Sequence, residues 1–251
     1  MRPWVLEVFR ITAVKRAEGG RRWQDWVMIM PLLEVIALDA ADARNACDGG
    51  ADRVELVSDM AAAGLSPAPA TVAAVRAAVD LPVRVMLRSR ADFAAGDLDA
   101  LRRTAQELRS AGGDQFVLGF LDRNGDVDLP AVRTVVDALD GAPWTFHRAI
   151  DHAGDRAAVW AALAGLPGLD TVLTAGAPAG LSEGLATVLG EASASGPRLL
   201  VGGGLRDEHI APLRAAGVTA FHSGAAVRRD RDWDNPVDPA LVHRLRSSLT
   251  D

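Results

Sequence analysis

From Leu32 onward the chain repeats one unit: a short apolar run, a turn, then an amphipathic stretch rich in Ala, Leu and Arg. The apolar runs are LLEVIA (32–37), RVELV (53–57), VRVMLR (83–88), FVLGFL (116–121), WTFHR (144–148), TVLT (171–174), RLLVG (198–202) and AFHS (220–223). Their length and branched content predict strands. Between them, TVAAVRAAV (71–79), LDALRRTAQELRSA (98–111), LPAVRTVVDAL (129–139) and HIAPLRAAG (209–217) space their apolar residues as helices do, and PALVHRLRSSL (239–249) closes the chain. Strands alternating with helices pair in parallel through right-handed crossovers. Eight such units predict a single-domain (β/α)8 barrel, the TIM barrel, over residues 31–251. A doubly wound open sheet is the runner-up, weakened because no Gly-x-Gly-x-x-Gly turn follows the first run.

Strand faces alternate, so parity divides each run. Leu33, Val35, Val54, Leu56, Val83, Val85, Leu87, Trp144, Phe146 and Phe221 fall on the helix-facing side. The same parity sends Glu34, Glu55, Arg84, Arg88, His147 and His222 toward the barrel axis, with Ile36, Arg53, Met86 and Thr145. Isolated charges there are costly, so they must pair or meet water. Two arrangements satisfy that demand: a buried ion-pair network filling the barrel, or a polar pocket at the carboxyl ends of the strands. Arg88, His147 and His222 stand at or near strand ends, which favours the pocket. Gly202, Gly203 and Gly204 follow the seventh run, and His222, Ser223 and Gly224 end the eighth. Backbone N–H groups at that corner of a barrel often hold an anion.

Composition narrows the chemistry. The net charge of -6 argues against nucleic-acid or anionic-membrane partners, and no apolar run is long enough to span a bilayer. Lys15 is the only lysine and there is no tyrosine, which disfavours an imine mechanism and removes a tyrosine acid. Cys47, the single cysteine, leaves no internal disulfide and suits a reducing compartment. Its helical segment, ARNACDGG, places it away from the strand ends, as a core residue. Residues 1–30 stand apart as an over-called start or a short appended arm, without the pattern of a secretory signal. DRNGDVD (122–128) departs from a calcium loop and reads as a turn feeding an Asp128 N-cap ahead of Pro130. His152, His209 and His243 fall on loops or helices and read as surface residues, while Arg90 either joins an anion site or sits in a solvated loop.

Taken together, LLEV (32–35), GADRVELV (50–57), GLSP (64–67), MLRSRADF (86–93), GDVD (125–128), TFHRAID (145–151), VLT (172–174), VGGG (201–204) and FHSG (221–224) resemble the CutC family of copper homeostasis proteins. The resemblance implies a cytosolic TIM barrel, often self-associated, with Glu34, Glu55, Arg88, Arg90, His147, Arg148, Asp151 and His222 clustered at one mouth. AAGLSP (62–67) and SRAD (89–92) depart from the family's usual glycine, threonine and proline pattern in loops that line that mouth.

Three roles follow. A copper-binding protein would draw on His147, His222 and Cys47, although Met60 and Met86 are not spaced as a soft-ligand motif. An enzyme acting on a small phosphorylated or carboxylated metabolite would use His147 as general acid/base, oriented by Glu34 or Glu55. Arg88 and Arg148 would hold the anion, with Arg90, Asp151 and the glycine corner nearby, and no Schiff base would form. A non-catalytic scaffold is the third, since fold does not fix function.

Overall fold

Eight short strands close into a parallel barrel in sequence order, each bonded to the next and the eighth back to the first. The computed structural model describes residues 30–193 and 195–250. The expectation for residues 1–30 therefore falls, Met30 aside, outside the described residues. The strands are β1 (Leu32–Ala37), β2 (Arg53–Leu56), β3 (Val83–Met86), β4 (Gln115–Leu118), β5 (Trp144–Phe146), β6 (Leu169–Thr174), β7 (Arg198–Val201) and β8 (Ala220–Ser223). The helices are α1 (Ala40–Asp48), α2 (Pro69–Ala78), α3 (Leu98–Ser110), α4 (Leu129–Asp137), α5 (Arg156–Leu163), α6 (Leu181–Glu191), α7 (Asp207–Ala215) and α8 (Pro239–Ser248). The hydrophobic rhythm did not single out α5 and α6; α6 carries Gly184 and Gly190, poor helix formers that blur its pattern.

Aspartates start most helices. Asp39, Asp97, Asp128, Asp155 and Asp238 cap α1, α3, α4, α5 and α8, each side chain accepting a backbone N–H of the first turn. The Asp128 cap ahead of Pro130 is among them. Between strands and helices lies one continuous core holding Leu33, Val35, Val54, Leu56, Val85, Trp144, Phe146 and Phe221, as strand parity predicts, joined by Phe116 of β4. Inside the barrel, Ile36, Val57, Met86 and Val117 form a separate apolar group.

Two helix residues differ from expectation. Cys47 is exposed, because Ala43 and Ala46 already supply the inward face of α1. His209 is buried, not superficial: its Nδ1 accepts the Arg206 N–H at 3.2 Å and closes the first turn of α7.

Candidate functional site

Both expected arrangements of the axial charges exist, at different levels of the barrel. Glu34 of β1 pairs in register with Arg53 of β2 on one side and His222 of β8 on the other. Its carboxylate accepts from Arg53 Nε and lies 2.9 Å from His222 Nδ1. The far ring nitrogen, His222 Nε2, is 3.7 Å from Glu55 Oε2. Burial alone would raise Glu34, but Arg53 and the His222 hydrogen bond outweigh it and hold its carboxyl down at about 2. Burial dominates at Glu55 and, with the Glu34 charge nearby, lifts it to about 7 although His222 opposes the rise. His222 is buried too, which lowers it, yet Glu55 and Glu34 together bring it above the ordinary histidine value. Arg84 leaves this group. Its Nη2 bonds both carboxylate oxygens of Asp170, at 2.8 and 2.6 Å, near the amino end of β6.

Above the carboxylate–histidine layer, at the carboxyl ends of the strands, is a cavity of ≈ 300 Å³. Glu55, His222 and Ser223 line it with His147, Arg88, Arg148, Gly203, Gly204 and Gly224, while Glu34 does not. Its apolar wall comes from Ile36, Met60, Met86, Phe93, Leu173 and Trp233. Of these, only the inward parity of Met86 and Ile36 was visible in the sequence; Phe93, Met60 and Trp233 arrive on the connections between strands and helices.

His147 follows β5, and its Nδ1 accepts the Ala149 N–H at 3.2 Å. Burial, helped by the Arg88 charge, drops its pKa to about 3, so the ring is neutral. Neither Glu34 nor Glu55 orients it, contrary to the sequence reading; both carboxylates attend His222 instead. The reason is register, which puts β1, β2 and β8 side by side and β5 across the ring.

Arg88 lines the cavity, but its guanidinium is committed to main-chain carbonyls. It donates to Ala63, Gly64, Ala91 and Asp92 and stacks 4.9 Å over the Phe93 ring. It fastens two loops and is not a free anion-binding arm. Arg90 is half exposed and pairs with Asp92, outside the cavity, which decides for the solvated loop. Asp151 is also outside it, buried and saturated by Arg148, Arg156, Thr174 and the Ala175 and Gly176 N–H groups. Arg148 donates to Asp151, Ala177 and Pro178 through Nε and Nη2, leaving Nη1 without a hydrogen bond among the described residues.

The glycines divide similarly. Gly202 is not on the cavity wall; a Cβ there would sit 2.8 Å from the His222 Cβ, so its absence makes room for that ring. Gly203 adopts φ +74 and lies against Arg148, where a Cβ would come within 2.9 Å of Cζ. His152 stands exposed at the rim, 4.6 Å from the Phe93 ring, and His243 is exposed on α8.

A resident copper ion is a poor match to these donors. With Nδ1 taken by an N–H, neutral His147 carries its proton on Nε2, so neither nitrogen offers a lone pair to a metal. His222 Nε2 faces Glu55, and the Cys47 thiol lies on the outer face of α1. Among the described residues, no three His, Cys, Asp or Glu groups are placed to hold a metal ion. The Met60 and Met86 thioethers share the cavity wall without a matching imidazole or thiolate. No helix among the described residues is long and apolar enough to cross a membrane.

Known proteins agree with this architecture. The CutC family model matches residues 31–227. A CutC family protein of Xanthomonas campestris is 38% identical over 225 residues, covering 87% of this chain and 90% of the relative. The human copper homeostasis protein cutC homolog is 33% identical over 205 residues, 79% of this chain and 75% of its own length. A crystal structure of a Streptococcus agalactiae protein bearing the CutC name superposes with a TM-score of 0.71 at 24% identity, over 78% of this chain and 98% of that one, and so shares the fold. With the CutC family model matching residues 31–227 and relatives above 30% identical over more than two thirds of the chain, the chain belongs to the CutC family.

Proposed function

We propose that this chain serves copper homeostasis, the role in the name of its human relative, through a small organic ligand taken up at the barrel mouth. One observation carries this reading. Glu55 Oε1, His147 Nε2 and Ser223 Oγ are buried side-chain atoms of cavity-lining residues, and none has a protein partner. Each unmet polar atom costs about 1–3 kcal/mol, which a ligand or water would recover. Arg148 and the Gly203–Gly204 turn suit a carboxylate or phosphate on that ligand. The same reading holds the protein cytoplasmic, consistent with a lone thiol, and self-associated, as the resemblance implies; light scattering on the purified chain would report a dimer or larger.

A thermal-shift screen of phosphorylated and carboxylated metabolites tests the ligand. At least one compound should raise Tm, and His147→Ala should reduce that rise. Copper titration by calorimetry is the opposing arm. A stoichiometric submicromolar copper site weakened by His147→Ala or Cys47→Ser would overturn the organic-ligand reading. A second reading, a lysine-independent acid–base enzyme, is favoured by Glu55, whose carboxyl sits near 7 beside the cavity.

A further inference from the structure

Glu55 and His147 each engage one side of the group and leave the other, buried, without a protein partner, and the buried Ser223 hydroxyl has no partner at all. Glu55 Oε2 lies 3.7 Å from His222 Nε2, while Oε1 has no partner. His147 Nδ1 is occupied by the Ala149 N–H, so its partnerless Nε2 is a hydrogen-bond donor fixed by the backbone. The Ser223 hydroxyl, at the end of β8, supplies a second donor without a partner. One cavity is thus lined by a carboxylate with a free oxygen and by two donors. A neutral imidazole N–H suits an oxygen on which negative charge develops, because it donates strongly yet keeps its proton.

We propose that the mouth cavity enolises a small α-hydroxy carbonyl compound, with Glu55 moving the carbon-bound proton and the His147 and Ser223 donors holding the carbonyl oxygen. The proposal rests on the mouth being an organic-ligand site. In the forward step the Glu55 carboxylate takes a proton from the carbon next to the carbonyl. The C–H electron pair becomes the C=C bond, and the carbonyl π pair moves onto oxygen, between His147 Nε2–H and Ser223 O–H. Return of the proton to the same carbon restores the substrate. Alternatively, the neighbouring hydroxyl proton shifts to the first oxygen and Glu55 protonates the former carbonyl carbon, giving the isomeric carbonyl compound. The sequence is redox-neutral and needs no co-reactant. Arg148, with an uncommitted Nη1 on the same wall, places the anionic end of the substrate. His222 is a positioning residue: it holds one Glu55 oxygen and tempers its basicity.

The test uses dihydroxyacetone phosphate in D2O, followed by proton NMR, with phosphoglycolate and phosphoglycolohydroxamate as ligands. The full chain should exchange the carbon-bound protons well above the buffer rate, and Glu55→Gln, purified in parallel, should slow exchange by about a hundredfold or more. The hydroxamate, a planar mimic of the enediolate, should bind about a hundredfold tighter than phosphoglycolate. Glu55→Gln should still show a phosphoglycolate thermal shift, which proves the variant folded. Exchange at the buffer rate, exchange untouched by Glu55→Gln, or equal binding of the two ligands would overturn enolisation while a phosphoglycolate shift kept the ligand site. If neither compound shifts Tm, enolisation fails; the ligand reading then stands or falls on the wider metabolite screen.

Discussion

Glu34 and Glu55 sit on adjacent strands and share one imidazole, yet they ionise on opposite sides of their ordinary value. Glu34 has Arg53 and a hydrogen bond from His222 to offset its burial, whereas Glu55 has only the looser 3.7 Å contact. The sign for stability follows. Glu55 is raised to about 7, so its contribution is fully present below about 4.5 and is lost as pH rises to about 7. Glu55→Gln removes that loss, so urea melts should show the variant gaining on the wild type between pH 4.5 and 7 and holding its advantage above. Glu34, lowered to about 2, acts oppositely: its contribution disappears as pH falls from 4.5 toward 2. His222→Asn withdraws a positive charge that lowers Glu55, so the acid limb of the exchange–pH profile should move to higher pH. A purely structural His222 would change the rate without moving that limb.

Among the elements, the turn after β5 shows how a motif separates into parts with different work. In TFHRAID, Phe146 packs into the outer core, His147 lines the cavity and Asp151 is buried beneath the turn. Asp151 accepts from Arg148 and Arg156 and from the Ala175 and Gly176 N–H groups, binding the β5–α5 turn to the end of β6. Asp151→Asn leaves two arginines facing an amide and substitutes donors where acceptors are needed. The expected loss is about 3–5 kcal/mol in chemical denaturation. The ligand-induced Tm rise should shrink as well, because Arg148 loses its anchor. The family resemblance implied that Arg148 and Asp151 lie near each other at the mouth, and they pair at 2.8 Å. It did not reveal Arg156 or Thr174 as partners, because they come from other elements. Arg88 is the converse: its inward parity was legible, while its carbonyl partners depend on how the loops after β2 and β3 fold back.

For the molecule as a whole, closure of the ring creates the interactions that span it. Arg84 on β3 reaches Asp170 on β6 across the barrel, with the guanidinium buried and Nε and Nη1 lacking partners. Asp170→Ala should therefore cost about 1.5–3 kcal/mol, the worth of hydrogen bonds to a charged group, and the loss should appear in the global unfolding free energy. Eight strands, the inward and outward faces of the first, second, third, fifth and eighth, and the polar mouth were readable in the sequence. The helical and strand periods are local properties of the backbone, and burial forces the side-chain pattern to follow them. The tertiary structure alone decided that the carboxylates serve His222 and not His147, that Arg88 and Asp151 hold loops, and that Met60, Phe93 and Trp233 complete the cavity. Those outcomes join residues far apart in the chain, 188 positions in the case of Glu34 and His222. They follow from strand register and loop path, which no local period encodes.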